Sequence, residues 1–361
     1  MCGDRTGGDA QSTNVHAAAQ AHAEPMTLAG AISRRVGISL LTLWLVSVAF
    51  FTLVEVAPGD FAVATSGMGT TDADREATRK ALGLDRHVVV RYRDWAISMV
   101  TGDLGTSWWA RRPIVDFVAE PVGHSLWLAG VAALFALPLG LAVGIATTAV
   151  RGSVVDKSVA SAAVATMSIP DFLIAYGLMA LLGVQLGWLP VHSFFADELS
   201  FGERLYASAL PVLSLAAGLA TPTYRTTRAA LRAELGAPYV EMARLKGLSE
   251  TRILLVHVLP NAVAPIVNGL VQLIGNLLVG LVVVEIIFEY PGFGKLLVHA
   301  VVIRDVPLVL ACSLVCAVAY VGLVLLADIL TVATNPRLRQ RPASASARLL
   351  PAAKPRRRPP A

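Results

Sequence analysis

The chain has 361 residues, of which 55% are hydrophobic and 15% charged, with a net charge of +5 and a mean hydropathy of +0.63. Soluble proteins carry about 25% charged residues, so this composition excludes an ordinary soluble protein. Its three cysteines, Cys2, Cys312 and Cys316, have no paired spacing outside a hydrophobic run, which argues against a disulfide framework and a zinc site.

Uncharged runs long enough to cross a bilayer occur six times along the chain. A hydrocarbon core of about 30 Å requires about 20 apolar residues of helix. We therefore predict an all-α polytopic membrane protein with six transmembrane helices, rather than a soluble fold with buried core helices. The predicted spans are 36–54, 125–150, 158–186, the stretch between 204 and 225, 261–284, and 306–327.

The ends of the chain differ in composition from these spans. Residues 1–25 lack periodicity and the apolar core of a signal peptide, and translation could begin at Met1 or Met26. The Pro-, Ala-, Ser- and Arg-rich tail cannot bury enough apolar area to fold, and it either lies near anionic lipid or is simply solvated. The predicted segments are disordered 1–30, a first transmembrane helix 31–57, an extracytoplasmic segment 58–120, a helical core 121–332 and a disordered basic tail 333–361.

Basic residues fix the predicted orientation, because short cytoplasmic loops are enriched in Lys and Arg. The basic segments precede the first span, follow the second span, lie between the fourth and fifth spans, and follow the sixth. With six spans all four fall on one side. We therefore expect the amino and carboxyl termini to be cytoplasmic.

Within the spans, few residues stand out. Gly140 and Gly144 form a GxxxG pair in the second span, a spacing that allows close helix approach. Asp171 follows Pro170 early in the third span and either lines a polar pathway between the helices or faces water near the cytoplasmic end. Three further acids, Glu55, Glu285 and Asp328, lie near span ends, can reach the interface and are assigned no role.

The loop 225–260 contains helix start and stop signals that predict two short helices joined by a turn. Pro238 suits a first helical turn, Gly247 suits the left-handed position after a helix, and Ser249 can cap the next helix. Pro260 is expected to mark the junction with the fifth span. Ala243 and Gly247, four residues apart, predict a flat face for another protein, although an ordinary basic loop has the same composition.

This loop resembles the EAA loop of binding-protein-dependent ABC importer permeases. The matching residues are Glu241-Met242-Ala243, Gly247 after three further residues, and His257-Val258-Leu259-Pro260 after nine more. They depart from the family pattern at Met242 and His257. In that family the loop forms a coupling helix that sits in a cleft of the ATPase. The resemblance implies that the coupling residues are Glu241, Ala243, Arg244, Lys246, Gly247, Leu259 and Pro260.

Other short stretches resemble the dipeptide, oligopeptide and nickel branch of this family, from about residue 31 to 339. They are Ala57-Pro58-Gly59-Asp60, Leu82-Gly83-Leu84-Asp85, Gly102-Asp103-Leu104-Gly105 with Ser107, Ser168-Ile169-Pro170, 186–191, 290–294, Arg304-Asp305 and Asn335-Pro336-Arg337. The resemblance implies type I ABC importer permease architecture in a bacterial inner membrane. It also implies a second permease subunit, two ATP-binding subunits, an extracytoplasmic solute-binding protein and membrane lipid as partners, with no nucleic acid, and peptides, nickel or other small solutes as substrates.

No catalytic residue, metal site or bound cofactor is expected in this chain. A GxxxxGK[ST] phosphate loop, an HExxH motif and a GxSxG motif are all absent from the sequence. ATP hydrolysis is therefore expected in the partner subunits. The alternative is a secondary transporter driven by an ion gradient, a class that usually shows internal repeats and functional intramembrane carboxylates.

Overall fold

The computed structural model describes residues 28–56, 71, 73, 76–77, 80, 83, 85–193 and 199–334. The expectations for 1–27 and for the basic tail beyond residue 334 lie outside these residues. So do the motif at 57–60, the residues Leu82 and Leu84, and the closing motif at 335–337.

The described residues form eleven helices, numbered here in chain order. Two of them contain a wider π-helical stretch, at Met179–Gln185 and at Ile253–Val258. The helices are α1 Leu28–Val56, α2 Val88–Val100, α3 Val115–Ala149, α4 Val154–Ser168, α5 Asp171–Gln185, α6 Phe201–Ala207, α7 Ala209–Leu235, α8 Pro238–Leu245, α9 Glu250–Ile287, α10 Phe293–Val302 and α11 Val306–Thr334.

Four of these helices, α1, α3, α9 and α11, are long and apolar enough to cross a membrane individually. The pairs α4–α5 and α6–α7 pass the same test together, which brings the number of candidate spans to as many as 6. Every predicted span falls on one of these helices or pairs. The all-α architecture predicted from the sequence is confirmed.

The third predicted span is not a single straight helix. α4 and α5 are bent by 100° at the break between them, where Ile169 is extended and Pro170 caps α5. A residue that precedes proline avoids the helical region, and proline lacks the N–H that would continue the helix. Pro170 therefore ends one helix and starts the next at a steep angle.

The fourth predicted span also differs from expectation. α6 and α7 are bent by 65° at Ser208, and α7 continues well past Arg225 to Leu235. The stretch predicted as the beginning of a loop is therefore the end of a helix. The loop itself begins only at Gly236, which caps α7.

Glycines bring α3 and α7 into close contact. A Cβ atom added at Gly140 would lie 2.6 Å from the Ala220 carbonyl oxygen, and one added at Gly144 would lie 2.8 Å from Cβ of Thr227. Glycine at both positions lets the two backbones approach. The predicted close approach at the GxxxG pair is confirmed.

Contacts divide the chain into two units, Ser39–Ala327 and a smaller unit of Met1–Ile38 with Asp328–Ala361. In the larger unit, buried apolar residues of α3, α5, α7 and α9 form the main core, including Leu128, Leu215 and Leu281. In the smaller unit, the guanidinium of Arg35 forms an ion pair with Asp328. Asp328, which was assigned no role, therefore has a structural partner.

The carboxyl-terminal part of α1 packs against α2. The ring of Phe51 lies 5.4 Å from that of Tyr92, and Ser47 and Tyr92 share a hydrogen bond of 2.9 Å between their hydroxyl oxygens. Glu55, a second acid that was assigned no role, forms an ion pair of 2.9 Å with Arg91. α2 is thereby tied to the first span.

Candidate functional site

The loop that joins α7 to α9 is a short helix packed against its own chain. α8 begins with Pro238 at its first turn, as predicted. Val240 and Ala243 point inward and belong to a buried cluster with Leu231 and Ile253. The expectation that Ala243 shares an outward face with Gly247 is wrong, because Ala243 is only 8% exposed. Its small side chain instead lets α8 lie close to α9.

The outward face of α8 carries two of the predicted coupling residues, Glu241 and Lys246, together with the apolar side chains of Met242 and Leu245. Met242 is 56% exposed and Leu245 is 78% exposed, and Glu241 and Lys246 lie beside them, exposed. Leu245 and Lys246 lie three and four residues after Met242, which places them on the same helical face as Met242. That spacing is the signal that identifies the face. We call Glu241, Met242, Leu245 and Lys246 the α8 surface.

The end of α8 is a compact turn. Gly247 has a φ of +77°, the left-handed conformation predicted from the sequence. The Gly247 N–H donates to the Arg244 carbonyl at 2.9 Å, and the Leu248 N–H donates to the Ala243 carbonyl at 3.3 Å. These two bonds are those of a Schellman motif, which satisfies carbonyls left free at a helix end.

Arg244 spans this turn with its side chain. Its Nε donates to Glu250 Oε1 at 2.7 Å, and its Nη2 donates to Glu250 Oε2 at 3.2 Å. The hydrogen bond to Glu250 raises the pKa of the Arg244 guanidinium above its usual value. A bidentate guanidinium–carboxylate pair fixes orientation as well as distance. It therefore links α8 to the first turn of α9.

The second short helix predicted after the turn is instead the beginning of the fifth span. Ser249 has the backbone conformation of an N-cap, but its side chain makes no capping hydrogen bond. From Glu250 the helix runs to Ile287, and it is π-helical from Ile253 to Val258. Pro260 lacks an N–H and crowds the preceding turn, which gives a physical reason for the widening. Leu259 is partly buried against the same cluster as α8.

A buried carboxylate lies at the same end of the helices. Asp156 is 3% exposed and forms ion pairs with Arg228 and, at 3.0 Å, with Arg232. Its Oδ2 also accepts from the Gly152 N–H at 3.1 Å. In the sequence, Arg228 and Arg232 are only two of the basic residues between the fourth and fifth predicted spans. Ser153, three residues before Asp156, caps α4, and this Ser-x-x-Asp spacing was the available signal.

At the opposite end of the helices, Glu285 is wholly buried, at 0% exposure. It accepts from the Ser125 hydroxyl, and its Oε2 accepts from the Lys295 N–H at 3.1 Å. Ser125 in turn accepts from the Phe293 N–H at 2.8 Å. The expectation that Glu285 reaches the interface is therefore wrong. The carboxylate lies at the amino terminus of α10, where unpaired N–H groups favour an anion.

Asp305 plays a corresponding part at that end. It is 1% exposed, accepts from the Ser107 hydroxyl, and accepts from the N–H groups of Trp109 at 3.1 Å and Leu308 at 3.2 Å. It thus caps α11 and holds the segment before α3. Ser107 and Asp305 belong to separate motif stretches of the sequence, and the fold brings them into hydrogen-bonding contact.

Asp171 lies at the first position of α5, directly after the 100° bend. It lines a cavity of about 260 Å³ that α7 and α9 also border, with Ser214, Thr221 and Asn276 among the lining residues. Asp171 is far along the chain from the α8 surface, and the cavity contains no residue of that surface. Among the described residues, no group of three or more His, Cys, Asp and Glu side chains is placed to hold a metal ion.

Comparison with known proteins identifies two matching family models. Residues 136–340 match the binding-protein-dependent transport system inner membrane component, and residues 29–113 match the N-terminal part of such membrane components. The glutathione transport system permease protein GsiC of Escherichia coli K12 is 35% identical over 308 residues, covering 85% of this chain and 98% of that protein. GsiC of Salmonella choleraesuis SC-B67 is 35% identical over 301 residues, covering 82% of this chain and 95% of that protein.

Proposed function

Since the chain belongs to the family of binding-protein-dependent transport system inner membrane components and is a permease subunit of an ABC importer, we propose that the α8 surface is where a partner ATPase docks. The family implies a binding protein, ATPases and a second permease as partners. Family membership also disfavours the ion-gradient alternative. What remains to be assigned is where the partners act on this chain.

The exposed apolar side chains of the α8 surface carry this proposal. Leu245 and Met242 are largely exposed although they lie outside the candidate spans. An apolar patch between charged groups is typical of a protein interface. The charges of Glu241 and Lys246 supply the rim, so the surface has the composition of a small docking site.

The contacts behind the α8 surface suit it to transmit movement. α8 is too short to be stable in isolation. It is held by the buried cluster with Leu231 and Ile253 and by the Arg244–Glu250 pair. Because α9 continues from Glu250 to Ile287, a displacement of α8 is passed directly to the fifth span. In this assignment two of the predicted coupling residues, Glu241 and Lys246, belong to the α8 surface. The others position that surface: Ala243, Arg244, Gly247, Leu259 and Pro260.

The end that carries α8 is assigned to the cytoplasm. Arg151, Lys157, Arg228 and Arg232 lie at this end, and Lys and Arg are retained preferentially on the cytoplasmic side. Both termini would then be cytoplasmic. The end held by Glu285 and Asp305 would face the binding protein.

We also assign peptides as the substrate class. The similar permeases are named for glutathione, which is a tripeptide. Nickel and other small solutes are the alternative, because the sequence motifs are shared across that branch. Uptake of labelled glutathione, di- and tripeptides and nickel by the full importer distinguishes these substrates.

The docking assignment is tested by Leu245→Arg in the full importer. Leu245 is 78% exposed, so the charge should leave folding unchanged while breaking an apolar contact. We expect the ATPase to be lost on purification and uptake to fall by about tenfold or more, the equivalent of one good interface side chain. Membrane abundance of the chain should remain at the wild-type level.

Val154→Arg is the matched control. Val154 is 79% exposed at the same end of the helices but lies in α4, outside the α8 surface. It should retain the ATPase and uptake. If Leu245→Arg also retained both, the assignment of the α8 surface would be incorrect.

A further inference from the structure

One face of the fifth span carries amide side chains. Asn261, Asn268, Gln272 and Asn276 are all exposed and are separated by seven, four and four residues. At 3.6 residues per turn these intervals keep them within one narrow face of α9. We call these four residues the amide face.

Part of the opposite side of α9 packs within the chain. Ala262, Ile266, Leu277 and Leu281 are buried, and they lie on the side away from the amide face. Val263 is 48% exposed and lies about half a turn from the centre of the amide face. Exposed side-chain amides are costly in hydrocarbon. The amide face is therefore turned toward water or another polypeptide, not toward lipid.

The amide face loses its polarity toward the end held by Glu285. The positions that continue it are Val279, which is 71% exposed, and Val283, which is 38% exposed. Amide side chains, interrupted by the exposed Pro265, thus extend along α9 from Asn261 to Asn276, and an apolar section follows.

The cavity beside Asp171 meets the amide face at Asn276, the one residue of that face that lines it. Asn276 borders it together with Asp171 and Ser214. Gly218 of α7 lies beside the carboxylate, since a Cβ built there would be 3.4 Å from Asp171 Oδ1. No hydrogen bond or ion pair of Asp171 occurs among the described residues. A carboxylate that lacks a partner in the described part of the chain and lies in one cavity with the Asn276 amide is a chemical match for an ammonium group and for a peptide bond.

We propose that Asp171 and the amide face form a peptide-binding site in the transport pathway, with Asp171 binding the substrate's ammonium group. Asn276 and Gln272 then hydrogen-bond the peptide groups, which are the same in every peptide, so the site accepts many sequences. The cavity of about 260 Å³ is smaller than most ligand sites. The second permease subunit supplies the facing half. This inference rests on the proposed peptide substrate.

The test uses the full importer in vesicles, with the chain's own cysteines replaced by alanine. Single cysteines are introduced as Gln272→Cys and Asn276→Cys on the amide face, and as Val263→Cys on the opposite face. A polar maleimide should label the first two and not the third. Triglycine should protect Asn276→Cys from labelling. If the amide face were a contact between permease subunits, its cysteines would stay unlabelled and the proposal would fail.

Charge recognition is tested by adding Asp171→Asn. Protection by triglycine should weaken by about tenfold or more, as expected for one charge-assisted hydrogen bond, while protection by N-acetyltriglycine should be unchanged. Asp171→Glu should restore most of the protection by triglycine. Equal loss with both peptides would mean that Asp171 is only structural, and no loss would mean that it does not bind the ammonium group.

These readouts are independent of the docking assignment. ATPase co-purification should be normal in Asp171→Asn, since the α8 surface is unchanged. If only Leu245→Arg lost the ATPase, the docking assignment would stand. If maleimide labelling of Asn276→Cys was the same with and without triglycine, the peptide site would be rejected. If nickel rather than triglycine protected the cysteines, the proposed substrate class itself would be wrong.

Discussion

The α8 loop and the opposite end of the helices are held in different ways. At the α8 end, the bonds that shape the loop join residues close in the chain, such as Arg244 and Glu250, which are six residues apart. At the opposite end, buried carboxylates join distant segments. Glu285 and Ser125 are 160 residues apart, and Asp305 and Ser107 are 198 residues apart.

This difference corresponds to the proposed role of each region, which is docking a partner for the α8 loop and holding the helices together for the Glu285 end. A loop built from local bonds keeps its shape while it moves as one piece against a partner. An end closed by buried carboxylates holds several segments, α3, α9, α10 and α11, in one arrangement. We expect substitutions to affect stability strongly at Glu285 and weakly on the exposed α8 surface.

Glu285→Ala should have the largest effect on stability. It removes the acceptor for the Ser125 hydroxyl and the Lys295 N–H in a site with 0% exposure. Each buried donor left without a partner costs about 1–3 kcal/mol, so the expected loss is about 3 kcal/mol or more. The measurements are abundance in the membrane and the unfolding temperature in detergent.

Glu285→Gln is the companion variant, since it keeps one acceptor oxygen and should lose less stability than alanine. Wild-type stability in Glu285→Ala would show that the buried carboxylate does not hold this end together. The comparison between the two ends would then lose its basis.

Gly140→Ala should have an intermediate effect, because it acts between the two ends. The added methyl would lie 2.6 Å from the Ala220 carbonyl oxygen and from Cβ of Thr223, so α3 and α7 would have to separate. Overpacking of this kind costs about 1–3 kcal/mol. The unfolding temperature should fall and the yield of folded chain should decrease.

Gly130→Ala provides the control on the same helix. No atom lies within 4 Å of a Cβ added at Gly130, so its stability should equal or exceed that of the wild type. Equal stability of the two alanine variants would mean that the close approach of α3 and α7 contributes nothing.

Features that depend on neighbouring residues could be predicted from the sequence. The apolar runs gave the spans, and Pro238 and Gly247 gave the beginning and end of α8. Glycine was required at position 247 because the chain there has φ of +77°. Such features follow from backbone geometry and side-chain period, which any short window contains.

Features that depend on distant contacts could not be predicted in the same way. The sequence places Glu285 near a span end, and only the packing of α10 and Ser125 shows that it is buried. Ala243 lies inward because Ile253 and Leu231 need a small neighbour, a fact absent from the α8 sequence alone. The bend at Pro170 was foreseeable in position but not in its 100° size, since neighbouring helices determine the angle.

The smallest expected effect concerns Glu289, four residues from Glu285 but exposed. Its Oε2 accepts from Lys295 Nζ at 2.6 Å, and this hydrogen bond lowers the pKa of Glu289 below its usual value. A carboxyl group with a lowered folded pKa stabilises the protein above its unfolded pKa of about 4.3. That stabilisation is lost as the pH falls through the lowered value. Because the pair is exposed, it is worth at most about 1 kcal/mol.

Glu289→Gln should therefore be nearly as stable as the wild type at neutral pH, and the small difference should vanish when both are measured in acid, below the folded pKa. Unfolding temperatures of the two proteins across the acid range supply the measurement. A loss at neutral pH as large as that of Glu285→Ala would contradict the ranking. It would mean that exposed ion pairs, rather than buried carboxylates, hold this end of the helices, because burial is what distinguishes Glu285 from Glu289 on the same short stretch of chain.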